Sequence, residues 1–222
     1  MQLNTYIDHT ILKPTTLLSD IERVCNEARQ YQFASACVPP PFVKQTKALL
    51  EGSTVKTCTV IGFPFGYSTI TAKKAEVYQA IEDGADELDI VINLIALKNN
   101  DWVYLQKEIE ALAPIIKEKN KVIKIIIESG VLTDEEIIKC CELYGASGID
   151  YLKTSTGYAE KGASIHAVTL FKQHLPAQVG IKASGGIRDY KFAKELIEAG
   201  ATRLGCSASV AIVDGGKGQG SY

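Results

Sequence analysis

No stretch of this chain approaches the roughly 20 consecutive apolar residues that a membrane-spanning helix needs. The first residues, Met1-Gln2-Leu3-Asn4-Thr5-Tyr6, carry neither a basic region nor an apolar run, so no signal peptide is expected there. An excess of one charge sign is also missing. Against 26 Asp and Glu stand 24 Lys and Arg, a net charge of −2, which argues against an electrostatic grip on nucleic acid or on a membrane surface. The six cysteines, at 25, 37, 58, 140, 141 and 206, include no C-x-x-C pair and no regular framework. They are expected to be reduced thiols of a cytoplasmic protein, mostly small core residues. The three histidines, His9, His166 and His174, lack ligand spacing, so no metal is expected. Nor does any Gly-, Ser- or Pro-rich linker divide the chain, and residues 1–222 are expected to form one domain.

What is present is an alternation. Apolar, β-branched runs recur at 6–12, 34–38, 55–62, 87–93, 122–128, 151–155, 180–184 and 203–207, with helical patterns between them. Near-continuous apolar runs are what parallel strands show when helices cover their outer face. Helix ends are legible as well. Ser19-x-x-Glu22 and Thr133-x-x-Glu136 have the form of capping boxes. Between Asp101 and Lys119, the residues Trp102, Leu105, Ile109, Leu112 and Ile116 fall at helical spacing, with Pro114 placed to bend that helix. Asp83-Gly84-Ala85, Tyr144-Gly145-Ala146 and Ala199-Gly200-Ala201 repeat one helix ending, in which glycine supplies a left-handed turn before the next strand. Eight strands at about 28 residues per unit suit a minimal strand–helix repeat. Right-handed crossovers between them close into a (β/α)8 TIM barrel. The alternative is a doubly wound open sheet, disfavoured by the strand count and by the lack of a G-x-G-x-x-G turn after the first strand.

Three of the strands carry a lysine among apolar neighbours: Lys124, Lys153 and Lys182. The step from 124 to 153 is 29 residues and the step from 153 to 182 is 29 again, which predicts three amines side by side on successive strands. Burial disfavours an ammonium, and clustered cations depress one another's pKa, which is how a lysine becomes a nucleophile at neutral pH. A strand lysine can also point outward and keep its charge in water. Three at equal spacing, with Asp89 in an apolar strand as partner, tilt the reading towards a site, and which amine attacks stays open at this point.

Other polar residues fall at strand ends, where a barrel gathers its functional groups: Asp8, His9 and Thr10, then Cys37, then Glu128. Asp8 and Thr10 would serve equally well in a turn or cap, and Cys37 as a core thiol. Two glycine-bearing loops come late in the chain. Ser184-Gly185-Gly186-Ile187-Arg188 follows the seventh strand, and Gly205-Cys206-Ser207-Ala208-Ser209 follows the eighth, the recurring phosphate position of barrels. Glycine lets the backbone approach a phosphate closely, although tight turns ask for it too.

Taken in order, Ile7-Asp8-His9-Thr10-Ile11-Leu12-Lys13-Pro14, Cys37-Val38-Pro39, Val60-Ile61-Gly62-Phe63-Pro64, Glu87-Leu88-Asp89-Ile90-Val91-Ile92-Asn93, Lys124-Ile125-Ile126-Ile127-Glu128-Ser129-Gly130, Lys153-Thr154-Ser155-Thr156-Gly157 and Lys182-Ala183-Ser184-Gly185-Gly186-Ile187-Arg188 resemble the deoxyribose-phosphate aldolases. The resemblance covers nearly the whole chain. It implies a (β/α)8 class I aldolase, a lyase that uses neither metal nor cofactor and cleaves 2-deoxy-D-ribose 5-phosphate reversibly into D-glyceraldehyde 3-phosphate and acetaldehyde. It implies Lys153 as the amine that forms the Schiff base and Lys182 as the neighbouring cation that lowers its pKa. Asp89 would move protons, through water, during carbinolamine formation and C–C cleavage. Gly185, Gly186, Gly205 and Ser207 would hold the phosphate, while Asp8, Thr10, Cys37, Lys124 and Thr156 would line the substrate pocket. Tyr222 would reach the site at the end of a flexible tail, about 214–222. Cys206 and Ala208 depart from the family pattern, which often has hydroxyl residues or glycine there, and Pro39-Pro40-Pro41 stiffens the loop after Cys37. These departures bear on phosphate contacts and donor tolerance, not on the reaction class.

Other readings stay in view. One is another class I phosphosugar aldolase or a transaldolase. A phosphosugar isomerase using Glu128 or Asp89 would leave the lysine row unexplained. A non-catalytic phosphosugar-binding barrel would keep the glycine loops but need no lysine of lowered pKa. The expected partners are small phosphorylated sugars and aldehydes. Exposed helix faces allow a homo-oligomer, dimer or tetramer, without a stripe apolar enough to demand one.

Overall fold

The computed structural model describes residues 2–216 and 218, and its eight strands pair in parallel, each with its neighbour in sequence, until the eighth closes on the first. They are β1 (Ile7–Thr10), β2 (Ser35–Val38), β3 (Lys56–Ile61), β4 (Glu87–Val91), β5 (Val122–Ile126), β6 (Tyr151–Lys153), β7 (Gly180–Ser184) and β8 (Arg203–Cys206). The helices around them are α1 (Leu18–Tyr31), α2 (Val43–Leu49), α3 (Ile70–Glu82), α4 (Leu94–Lys98), α5 (Trp102–Glu118), α6 (Asp134–Gly145), α7 (Ile165–His174), α8 (Tyr190–Glu198) and α9 (Ser209–Val213). This is the (β/α)8 barrel expected from the sequence, with all eight strands in place. Several end earlier than their apolar runs do, because the last residues find other partners. Asn93 caps α4, its side chain accepting the Ala96 N–H at 3.0 Å, and Glu128 turns left-handed at φ 55°.

Alternation along the strands separates two environments. In β4, Leu88 and Ile90 are buried outward in the apolar layer shared with Val77, Leu105 and Ile109 of the helices. Burying one such side chain stabilises the fold by about 1.5–3 kcal/mol. Glu87 and Asp89, the alternate residues, reach cations inside the barrel. The sheet is therefore apolar outside and ionic within.

The helix ends follow the sequence signals in part. At α6, the Thr133 hydroxyl accepts the Glu136 N–H at 3.2 Å and the Glu136 carboxylate accepts the Thr133 N–H at 2.8 Å, a complete capping box. The box expected at Ser19 and Glu22 does not form. The helix α1 already includes Ser19, and the Asp20 carboxylate accepts the Leu17 N–H at 3.0 Å instead. Gly84 and Gly200 take the left-handed turn expected of them (φ 100° and 125°), but Gly145 stays helical and Gly148 turns in its place (φ 71°). What keeps residue 145 small is packing, since a Cβ there would stand 2.7 Å from Cδ of Pro176. Pro114 lies inside α5, as read from the sequence.

Candidate active site

Asp89 is the centre of the barrel's ionic interior. Its Oδ2 accepts from Lys153 Nζ at 2.7 Å and from Lys182 Nζ at 2.7 Å, and its Oδ1 from Lys124 Nζ at 2.8 Å. Strand register explains the convergence. Lys153 and Lys182 are level across β6 and β7, whereas Lys153 is level with Ile126 of β5, two residues above Lys124. Strand stagger in the barrel brings both heights to one carboxylate. Equal spacing thus leads to three successive strands, with the amines gathered around one acceptor.

A second set of charges lies beneath. Asp8 Oδ2 is 2.5 Å from Lys182 Nζ and 3.4 Å from Lys124 Nζ, and its Oδ1 accepts from Arg203 at 2.6 Å. Glu87 pairs with Lys124 at 2.6 Å and with Arg203 at 3.2 Å. Cys58 Sγ lies 3.2 Å from Lys124 Nζ and 3.3 Å from Asp89 Oδ1. Burial alone would raise the carboxyls of Asp8 and Asp89. Around Asp89 the three lysines outweigh it, and around Asp8 so do Lys124, Lys182 and Arg203, which holds both carboxyls well below the usual carboxylate range. Burial likewise disfavours the ammoniums of Lys124 and Lys182, but Asp8 and Asp89 outweigh it and push both amines up. This corrects one expectation. Clustering does not depress these two amines, because two carboxylates stand among them.

The rim is built by the residues after the strands. Thr156 donates both its N–H and its hydroxyl to the Glu128 carboxylate, which burial pushes up despite those bonds. Thr154 and Ser184 stitch the loops after β6 and β7, with the Ser184 N–H donated to Thr154 Oγ1 at 3.1 Å and the Ser184 hydroxyl to Ser155 O at 2.5 Å. Gly185 and Gly186 both have left-handed backbones (φ 89° and 77°), and the space where a Cβ of Gly186 would stand is open. Gly205 lies on β8 and Ser207 just beyond it. Thr10 donates its hydroxyl to Asp8 O at 2.8 Å, and Cys37 stands level with Cys58 across β2 and β3. The hydrogen bond from Cys58 holds the Cys37 thiol below its ordinary value, while burial raises that of Cys58. Over this side opens a cavity of about 710 Å³, lined by Leu12, Val60, Phe63 and Tyr158 among others. Tyr222 lies outside the described residues.

Cys37, Cys58 and Asp89 offer ligand atoms within 4.8 Å of one another, as do Asp8, Cys58 and Glu87. Lysine amines already contact those carboxylates, so a metal would have to displace them. The donor set fits amine chemistry better than coordination.

The comparisons with known proteins agree with this geometry. The model of the DeoC/LacD family aldolases matches residues 3–213. The chain belongs to that family. The deoxyribose-phosphate aldolase of Lactococcus lactis subsp. lactis is 46% identical over 97% of this chain and 97% of its own length. That of Streptococcus gordonii is 47% identical over the full length of both. The tetrameric deoxyribose phosphate aldolase from Aeropyrum pernix superposes with a TM-score of 0.88 at 31% identity, over 96% of this chain and 89% of that one.

Within this DeoC/LacD aldolase, sequence reasoning missed Glu87, Cys58, Tyr151 and Arg203 as members of the interior. A signal was available. Glu87 lies two residues before Asp89 and Tyr151 two before Lys153, so each shares the inward face with the residue already singled out. Arg203 is level with Lys182 on the next strand, and its Nη2 lies 3.4 Å from the Tyr151 hydroxyl.

Proposed function

We propose that this aldolase cleaves 2-deoxy-D-ribose 5-phosphate reversibly into D-glyceraldehyde 3-phosphate and acetaldehyde, with Lys153 as the nucleophile. The observation that carries the reading is the Lys153 amine, held 2.7 Å from a carboxylate shared with Lys182. Four cations, Lys124, Lys153, Lys182 and Arg203, share contacts with three carboxylates, Asp8, Glu87 and Asp89. Of the three lysines, Lys153 is the one whose side chain keeps any exposure, 3% against 0% for Lys124 and Lys182.

The neutral amine attacks the aldehyde carbon C1, and the carbinolamine loses water to give an iminium. A base then takes the proton of the C3 hydroxyl, which Asp89, held ionised, does through water. The C2–C3 bond breaks, its electron pair moving towards the iminium nitrogen, and D-glyceraldehyde 3-phosphate leaves. The remaining enamine takes a proton at C2, and water releases acetaldehyde and the amine. Lys182 stays cationic beside the reacting nitrogen. Gly185, Gly186, Gly205 and Ser207 hold the phosphate, and Asp8, Thr10, Cys37, Lys124 and Thr156 shape the pocket. The chain acts as one catalytic domain, and Tyr222, which lies outside the described residues, is a further candidate for proton transfer. The protein works in the cytoplasm as a homo-oligomer. Among the described residues, no helix is long and apolar enough to cross a membrane.

Borohydride reduction in the presence of acetaldehyde, followed by peptide mass mapping, tests the assignment. An ethyl group fixed on Lys153 is the expected result. An adduct on Lys182 would exchange the two roles, and no adduct on any lysine would end the Schiff-base reading.

A further inference from the structure

His9 lies between Asp8 and Thr10, and the alternation of β1 turns it away from the ionic interior. It is 2% exposed, and both ring nitrogens are engaged. Nε2 lies 2.6 Å from Glu27 Oε2 on α1, and Nδ1 lies 2.8 Å from Ser209 Oγ. The Ser209 hydroxyl also lies 2.9 Å from Cys206 O, so it links the His9 ring to the backbone at the end of β8. Cys206 is the register partner of His9 across β1 and β8. Arg23 anchors the far end through Glu27 at 3.1 Å, and the ring of Phe33 packs on the imidazole at 5.2 Å. A chain of contacts therefore runs from the half-buried Glu27 of α1 through the buried His9 to the two residues that bracket Ser207 and Ala208. The reaction as derived above uses neither His9, Glu27 nor Ser209.

We propose that His9 is a positioning residue that holds the β8–α9 loop, through Ser209, in the shape that presents Gly205 and Ser207 to the substrate phosphate. The proposal rests on the phosphate reading given under Proposed function. Within the loop Ala208 supplies an apolar anchor in the core, and the Ser209 hydroxyl supplies a polar one. The clamp fixes the loop from behind, before the phosphate arrives, so less ordering remains for binding to supply. Because the clamp acts on the phosphate end and not on the lysines, its loss changes KM for phosphorylated substrate and spares the chemical step.

The test compares 2-deoxy-D-ribose 5-phosphate with 2-deoxy-D-ribose on the full-length protein. Ser209→Ala and His9→Leu are expected to raise KM for the phosphorylated sugar roughly 3- to 10-fold, the loss of about one hydrogen bond, with kcat within about twofold. On the unphosphorylated sugar kcat/KM stays unchanged. His9→Asn, whose amide can both donate and accept towards Ser209, restores most of the loss. Gly186→Asp serves as the reference. Aspartate is among the residues that adopt a left-handed backbone and puts a carboxylate into the neighbouring phosphate loop, so KM for the phosphorylated sugar should rise. Equal losses on both sugars in Ser209→Ala and His9→Leu would mark a merely structural role and overturn the proposal. An unchanged phosphate KM in both, alongside a raised one in Gly186→Asp, would overturn the proposal and leave the phosphate reading standing. A Gly186→Asp variant that shifts neither KM would remove the phosphate reading, and this proposal with it. Should His9→Leu fail to fold, Ser209→Ala alone decides.

Discussion

Lys73 and Lys182 are both fully buried against carboxylates, one in the helical layer and one in the barrel, and their surroundings move them in opposite directions. Lys73 of α3 donates to Glu108 of α5 at 2.7 Å and to Val91 O at 2.6 Å, while Glu108 also accepts the Asn93 N–H at 3.2 Å. There burial prevails. The lysine is pushed down and the glutamate up, each held back by the other. In the barrel, Lys182 faces both Asp8 and Asp89, and Asp89 faces three lysines. Desolvation is paid once for each ion, but attraction is gained for every opposed pair, so a network keeps charges that an isolated pair surrenders. The lone pair ties two helices to the end of β4. The network surrounds the proposed nucleophile.

The largest effect should come from Lys153→Ala, which removes the proposed nucleophile from the network and is expected to abolish turnover while far-UV circular dichroism stays that of the wild type. Normal activity in that variant would refute the role assignment. Asp89→Asn comes next. It leaves three amines without their common carboxylate, and kcat should fall about 10²- to 10⁴-fold. Stability should fall by about 3–5 kcal/mol, the cost of breaking a buried pair by removing one partner. Glu108→Gln makes the matching change in the lone pair, and kcat should stay within about twofold while urea unfolding shows a loss of about 1–3 kcal/mol. Equal damage to kcat from both substitutions would erase the distinction between site and strut.

Lys182→Leu sharpens the comparison inside the network itself. It removes a cation 2.7 Å from the carboxylate that Lys153 also contacts. With one positive neighbour fewer, imine formation should need higher pH, so kcat near neutral pH falls about tenfold and recovers as pH is raised. A pH–rate profile with acetaldehyde as donor reads this directly. An unshifted profile would mean that Lys182 does not tune the nucleophile.

How much of this was legible in the sequence differs between the two regions. Lys124, Lys153, Lys182 and Asp89 stand out because each is a charged residue in an apolar run, and their strands could be numbered by counting units. The fold followed from the same periodicity. Lys73 gave no such signal, since a lysine on a helix is ordinary and its burial depends on how α3 packs against α5. Arg203 and Glu87 sit at the first residues of their strands, where charge is also ordinary, and only the inward face shared with Asp89 gives Glu87 away. Ser19 failed as a cap because local pattern placed the helix start too late. Gly145 failed as a turn because the packing of Pro176, distant in sequence, decides that position.

The smallest effect should be the most discriminating. In Lys73→Met with Glu108→Leu, an apolar pair of similar volume replaces the lone ion pair. Stability is expected within about 1–2 kcal/mol of the wild type, since such replacements are often neutral or stabilising. Its pH dependence carries the sign. Glu108 has a raised folded pKa, so its contribution is present below the unfolded value of about 4.3 and is lost as pH rises through the folded one. Lys73 has a lowered folded pKa, so its contribution is present above about 10.4 and is lost as pH falls through the folded one. Between those limits the pair works against folding, and the double variant should gain on the wild type as pH is raised from about 4 to neutrality. Asp8 and Asp89 behave in the opposite way, contributing stability above about 3.9 that is lost only as pH falls towards their depressed folded values. Both proteins keep that term, so it cancels in the difference between their urea midpoints. A difference that moves against the double variant as pH rises would show that the lone pair holds its charges as firmly as the network does.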